Sequence, residues 1–467
     1  MQTSAPNEEF RDSISTVNKQ GKRIWIYPRK PSGRYHTARK FVSLFLLAFL
    51  FGAPFIKIGN HPFLLFNILD RKFVLFGLTF GPQDFYLFVL GFIALIVFVV
   101  LFTAVFGRVF CGWACPQTVF MEMVFRKIEY FIEGDASKQR LLNAAPWTGS
   151  KIFKKSAKQI IFFIISFIIS NTFLAYIIGI DELYKIVTAP PSFHPAGFVA
   201  INVFAGLFYF VFSHFREQAC TIVCPYGRLQ SVLLDKNTLV VAYDYVRGEP
   251  RGIIRKNETR TKGDCIDCHL CVDVCPTGID IRNGIQLECV NCTACIDACD
   301  AVMDKVSKPR GLIRYDSQNG IKDQIRFKIT PRIIAYTVVL VALVTVFSVL
   351  LATRSDFSIT LLRTPGTLFQ DQPNHKISNI YNLTIVNKTY NEQKLEVKVK
   401  NMEAEVRILG EQLELKGQQI FECRLMIILD KEKIGNTRIN IPLQIAILQN
   451  GQEIKTVKTN FLSHTGD

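Results

Sequence analysis

The chain alternates between long charge-free apolar runs and shorter polar stretches. Residues 41–56, 85–106, 160–180, 195–215 and 333–351 are apolar over nearly their whole length. A helix needs about 20 apolar residues to cross about 30 Å of hydrocarbon, so five membrane spans are predicted. The first is not a secretory leader, because it starts too late and no small-residue cleavage site follows it. Residues 62–81 are also apolar, but Asp70, Arg71 and Lys72 interrupt them. Three adjacent charges inside a span are costly. This stretch is therefore expected at the interface, or as a re-entrant hairpin, instead of forming a sixth span. From about residue 371 the period shortens to two. "YNLTIVNKT", "KLEVKVKN" and "TRINIPLQIAIL" alternate apolar and polar positions and are rich in β-branched residues. Six or seven strands in about a hundred residues predict a β-sandwich.

Charge orients the spans. Lys and Arg number nine in residues 1–40, nine in 107–159 and eighteen in 215–332, against three in 57–83 and one in 181–193. By the positive-inside rule the three basic segments are cytoplasmic. The fifth span then leads outward, to a C-terminal domain long enough to translocate despite its charge. The predicted order is a cytoplasmic segment 1–40, a membrane hairpin 41–106, a cytoplasmic loop 107–159 and a second hairpin 160–215. A cytoplasmic segment 216–332, a fifth span 333–351 and an outer, periplasmic domain 352–467 follow. The net charge of +16 thus marks topology, and no nucleic-acid partner is expected.

Twelve of the thirteen cysteines lie between Cys111 and Cys299, in short-spaced clusters that read as metal ligands and not as a disulfide framework. "CIDCHLCVDVCP" and "CVNCTACIDACD" each have the C-x-x-C-x-x-C-x-x-x-C spacing of bacterial two-cluster ferredoxins. That spacing assigns Cys265, Cys268, Cys271 and Cys299 to one 4Fe-4S cluster, and Cys289, Cys292, Cys295 and Cys275 to the other. The second run ends in Asp300 where the usual pattern has Pro, which is not a ligand. A pair of zinc sites is disfavoured, because zinc takes four ligands in two pairs. The block, at about 255–310, reads as an inserted cytoplasmic ferredoxin-like electron relay. No Gly-rich nucleotide loop is evident, so the relay requires an outside electron donor, which the sequence does not name.

Two further pairs, Cys111 with Cys115 and Cys220 with Cys224, each follow a span that runs toward the cytoplasm, and Pro116 and Pro225 come next. On a continuing helix, positions i and i+4 share a face, so each pair is expected to form a claw that ends in a proline kink. The repetition suggests duplication of a two-span unit, with four thiolates facing one another. Soft thiolates select copper(I), zinc or iron–sulfur. A copper site, a dithiol/disulfide couple and another iron–sulfur centre all remain open. Among lesser candidates, His214 is an interface residue, a further ligand or a proton relay, and His269, inside the first cluster run, is a candidate for tuning the potential through hydrogen bonds. Trp113 reads as an interfacial anchor, Cys423 as a buried small residue, and His375 and His464 as surface histidines.

"IWIYPRKPSGRYHTARK", "FGLTFGPQDF", "FCGWACPQTVFMEMVFRKIE" and "CPYGRLQSVLLD", together with the double ferredoxin run, resemble the FixG/RdxA/CcoG family of cytochrome oxidase accessory proteins. The resemblance covers essentially the whole chain. The paired C-x-x-x-C-P also occurs in NapH-type membrane ferredoxins, and the C-terminal extension tips the likeness toward CcoG. What it implies is an Ig-like C-terminal domain in a bacterial inner-membrane protein, and a cupric reductase fed through two 4Fe-4S clusters. The resulting Cu(I) would supply the copper centre of a cbb-type haem–copper oxidase. By position, Cys111, Cys115, Cys220 and Cys224 would face copper, as substrate or bound ion. Oxidase-assembly and copper-handling proteins would be its partners. The competing expectation is a NapH-like subunit linking the quinone pool to a partner protein. Oligomeric state, a homodimer included, stays open.

Overall fold

The computed structural model describes residues 15–18, 20–59, 61–68, 72–253, 262–324, 329–366, 368–373, 375–410, 413–431, 440–449 and 451–463. By its internal contacts the chain divides into two compact units, residues 1–70 with 89–346, and residues 71–88 with 347–467. His464 lies outside the described residues.

The long apolar runs are helices. α1 (Arg34–Gly52) starts the first span, β1 (Lys57–Ile58), β2 (His61–Pro62) and β3 (Leu64–Asn67) follow, and β4 (Lys72–Leu75) pairs with β5 (Leu78–Phe80) ahead of α2 (Phe85–Phe106). Among the described residues, five helical stretches are long and apolar enough to cross a membrane: Arg34–Phe55, Phe85–Phe106, Gly149–Ile178, Pro195–Phe215 and Pro331–Ala352. The described part of residues 62–81 forms short strands and no helix. Open strands cannot satisfy their backbone in lipid, so the described residues of this stretch offer no helical span.

After α2 the chain breaks into α3 (Val109–Trp113), α4 (Pro116–Phe120), α5 (Arg126–Ile132) and α6 (Ala136–Ala144). α7 (Gly149–Ile178), α8 (Ile180–Thr188) and α9 (Pro195–Phe210) complete the second hairpin. Phe120, Phe125, Phe162 and Phe212 are buried together where α4, α5, α7 and the end of the fourth span meet, and Phe125 stacks on Phe212 with ring centres 4.6 Å apart. Then come α10 (Pro225–Leu233), β6 (Val240–Tyr243), α11 (Tyr245–Gly248), α12 (Leu270–Asp273) and α13 (Ala294–Lys305). β7 (Ile313–Asp316) pairs antiparallel with β6, ahead of α14 (Gln318–Asp323) and α15 (Pro331–Ala352). The ferredoxin block packs Val241, Ile279, Ile281, Ile296, Met303 and Ile313 into its own core.

The C-terminal unit is all-β from β8 (Phe357–Arg363) onward. It continues through β9 (Gln370–Gln372), β10 (Lys376–Asn387), β11 (Gln393–Val399), β12 (Glu405–Leu409) and β13 (Glu414–Leu415) to β14 (Ile420–Asp430), β15 (Asn440–Gln449) and β16 (Gln452–Leu462). One antiparallel sheet runs β12-β14-β10-β8 with β9 beside β10, and the other runs β13-β11-β15-β16. Their alternating inner positions, among them Tyr381, Leu383, Leu425, Ile427, Leu443 and Ile445, make one core. The strands exceed the predicted six or seven because β8 precedes residue 371, and because β9 and β13 are too short to show a period. Cys423 is half-buried against this core, and His375 is exposed.

Candidate functional site

The eight ferredoxin-type cysteines surround two cavities. Cys265, Cys268, Cys271 and Cys299 line one. Cys275, Cys289, Cys292 and Cys295 line the other, with Cys271 also at its edge. The spacing of two-cluster ferredoxins gives the same partition. Among the described residues, no three His, Cys, Asp or Glu side chains stand close enough to share a single metal ion. Thiols spread around a cavity fit a cluster, whose irons occupy the space between them. The thiols are also costly to ionise unaided. Burial pushes Cys271, Cys289 and Cys299 up to about 12 and Cys292 to about 11. A bound metal removes that penalty, since coordination deprotonates a thiol.

His269 and Thr293 hold the left-handed conformation just before α12 and α13, so each cysteine run turns sharply around its cavity. His269 does not reach a sulfur by any hydrogen bond seen here. Its Nδ1 contacts Arg282 at 2.9 Å, and Arg282 in turn pairs with Asp280 at 2.7 Å and with Asp267. Arg282, buried at the rim of the first cavity, was not singled out from the sequence. Cys268 is exposed, which leaves that cavity the more open to solvent-side partners.

The two C-x-x-x-C-P segments share one local structure, but not a continuous helix. Cys111 sits on α3 and Cys220 on a single π-type turn, residues Ala219–Val223. Cys115 and Cys224 are both extended (φ −61°, ψ 125° and φ −67°, ψ 112°), and each is the N-cap residue of a new helix, α4 or α10. The expected one-face claw with a kink after it is therefore corrected. Proline disfavours the α conformation in the residue before it and is well placed at the first helical position. It ends the turn at the second cysteine and starts the next helix.

The four thiols lie in one neighbourhood, though no three of them are close enough to share one ion. Cys220 feels the charges of Cys111, Cys115 and Cys224, and burial pushes it up to about 12. Cys111, pushed up to about 11, donates to Gln230 Oε1 at 3.4 Å. Two buried arginines hold the surroundings. Arg108 donates to the Leu287 and Gly227 carbonyls, tying the Cys111 turn to α10 and to the second cysteine run. Arg39 on α1 donates through Nε to the Gly112 carbonyl at 2.7 Å. Gly112 has no room for a side chain, because a Cβ there would stand 2.4 Å from the Val290 carbonyl oxygen. The backbone beside Cys289 thus packs directly on the Cys111–Cys115 turn. A small pocket lined by Cys220, Thr118, Pro276, Thr277 and Val290 joins the same two regions. Trp113 is half-buried, with its indole Nε1 enclosed and, among the described residues, without a hydrogen-bond partner, so it packs within the protein.

A buried ion network fixes the second cysteine arm to the first. Arg216, four residues before Cys220, makes two 2.7 Å bonds to the Glu129 carboxylate on α5. Lys158 lies 3.5 Å from Glu129 and 2.9 Å from Glu133, and Arg126 pairs with Glu122 at 3.2 Å. Burial raises the Glu129 carboxyl, but Arg216, Lys158 and Arg126 override it and hold it at about 2. "REQAC", with two charges directly ahead of a cysteine at the end of a span, is the sequence signal that could have revealed this network. His214 is exposed and stacks on Phe210, with Trp25 edge-on.

Comparison with known proteins accords with this geometry. Residues 215–318 match a family described as a 4Fe-4S dicluster domain, residues 87–133 a 4Fe-4S binding domain, and residues 347–464 an IG-like fold at the C-terminus of FixG. The chain is 37% identical to the nitrogen fixation protein FixG of Rhizobium meliloti over 63% of its length, and that alignment spans 57% of FixG. It is 34% identical to protein RdxA of Cereibacter sphaeroides over 78% of its length and 79% of RdxA. Protein RdxB of the same organism is 33% identical over 80% of this chain and 81% of its own. The cysteine cavities, the membrane helices and these matches place the chain in the FixG/RdxA family of membrane iron–sulfur proteins.

Proposed function

We propose that the protein is a membrane cupric reductase that passes single electrons to Cu(II) at Cys111, Cys115, Cys220 and Cys224, for use in assembling a haem–copper oxidase. The observation that carries this reading is the packing of the second cysteine run on the Cys111–Cys115 turn, with Gly112 against Val290. Two 4Fe-4S clusters, when bound, supply one-electron transfer between the exposed Cys268 side and this turn. Two of these thiols at a time suffice to take copper as substrate, since no three stand close enough to share one ion, and thiolates favour Cu(I), the softer ion. Each gives up its proton on binding. Arg108 and Arg39 keep the turn in register with the relay. The Lys and Arg counts support a cytoplasmic side for the ferredoxin block and the four thiols, which leaves the sandwich in the periplasm in this reading.

The test is an anaerobic one. Chemically reduced protein is mixed with Cu(II), cluster oxidation is followed by EPR, and Cu(I) is trapped with a chelator. Serine at each of the four positions should leave the cluster signals intact and slow Cu(I) formation at least tenfold. Unchanged rates in all four variants would end the copper reading and leave a quinol-linked relay. A second reading has one finding in its favour. The 4Fe-4S match over residues 87–133 includes Cys111 and Cys115, which would make the four thiols a third cluster site. Iron analysis separates the two, with about eight irons per chain for two clusters and about twelve for three.

A further inference from the structure

A cavity of about 780 Å³, inside the range of ligand pockets, opens where α1 begins and is not one of the cysteine cavities. Its lining is strongly basic: Lys30, Arg39, Lys40, Lys127 and Lys138, with His36 among them. The carboxylates beside them are already engaged. Glu122 pairs with Arg126, and Asp135 accepts from the Lys30 and Ala136 backbone. Among the described residues, none of the four lysines has a carboxylate within ion-pair distance. Arg39 is buried, and its Nη2 meets no acceptor. These cations repel one another. Burial lowers the Lys127 ammonium, and Lys40 and Arg39 lower it further. A guanidinium with one nitrogen unpaired and four lysines without a carboxylate partner surround one space, which suits an anion. Beyond its mouth α1 presents Phe41, Leu44 and Phe45, each more than 60% exposed, along a helix able to span a membrane.

We propose that this cavity binds the phosphate of an anionic phospholipid, in the leaflet at the N-terminal end of α1, with acyl chains laid along Phe41, Leu44 and Phe45. Basic pockets beside membrane helices recognise such head groups, and the apolar stripe next to this one suits a lipid better than a soluble phosphate ester. Arg39, which lines the cavity and holds the Gly112 carbonyl through Nε, links the lipid to the turn that carries Cys111 and Cys115.

Full-length, cluster-loaded protein in nonionic detergent is titrated with dioctanoyl phosphatidylglycerol or dioctanoyl phosphatidylcholine, and occupancy is read by native mass spectrometry. Phosphatidylglycerol should bind at one molecule per chain and phosphatidylcholine much more weakly. Lys40→Gln with Lys127→Gln should weaken phosphatidylglycerol about 25-fold, roughly fivefold for each charge. Lys305→Gln, an exposed charge on α13, should change nothing. If the double glutamine variant loses its iron–sulfur absorbance, Lys40→Arg with Lys127→Arg decides, since it should bind like the parent. Equal binding of the two lipids, undiminished binding by the double glutamine variant, or failure of the arginine variant to bind would overturn the proposal. Displacement of phosphatidylglycerol by inorganic phosphate at matching concentration would overturn the lipid in favour of a soluble phosphate.

Discussion

At the scale of single residues, the site depends on what two positions exclude or neutralise. Gly112→Ala would put a methyl 2.4 Å from the Val290 oxygen, and the atoms it meets are backbone. Overpacking of this kind costs about 1–3 kcal/mol. The expected result is a weakened EPR signal from the cluster held by Cys275, Cys289, Cys292 and Cys295, with the other largely intact. Glu129 is the second such residue. Its folded pKa of about 2 lies below the ordinary 4.5, so its contribution to stability is full above about 4.5 and is lost as pH falls toward 2. Glu129→Gln should cost about 3–5 kcal/mol at pH 7, because buried Arg216 loses its bidentate partner and keeps, among the described residues, only Glu217 at 3.6 Å. In acid titrations followed by far-UV circular dichroism, the variant should also lose less stability than the parent between pH 4.5 and 2.

At the scale of elements, local patterns were legible and long-range fastenings were not. The five apolar runs and the doubled cysteine spacing are properties of consecutive residues, so they could be read directly. The N-terminus of α1 shows the opposite case. Asp297, inside the second cysteine run, accepts from the Tyr35 and His36 backbone at 3.1 and 2.7 Å and so caps the first membrane helix. Gly33 (φ +147°) leaves room for that carboxylate, which would stand 2.3 Å from a Cβ. Nothing near Asp297 in sequence announces a partner 262 residues away. Asp297→Ala should cost about 1 kcal/mol, as lost N-caps do, and lower the melting temperature without altering iron content. The cysteine claws went wrong for a related reason. The i, i+4 spacing is helical, but the proline acts on the residue before it, and the break falls on the cysteine itself.

At the scale of the whole chain, the membrane helices carry the redox parts and the sandwich stands as a unit of another kind. Its core is built of apolar side chains from both sheets. Leu425→Ala, at a fully buried position, should cost about 2–5 kcal/mol and reduce accumulation of the protein, while the iron–sulfur spectrum of what remains is unchanged. In the membrane unit the order of parts is linear. The exposed Cys268 lies at one cavity, Cys271 edges both, and the second cavity adjoins the four-thiol turn. The most direct test of that order is a rapid-freeze EPR time course of fully reduced protein mixed with Cu(II). The signal of the cluster held by Cys275, Cys289, Cys292 and Cys295 should decay first. Cys289→Ser should then stop oxidation of the cluster held by Cys265, Cys268, Cys271 and Cys299. If that cluster is instead oxidised first, or at the parent rate in Cys289→Ser, electrons do not leave by way of the four thiols.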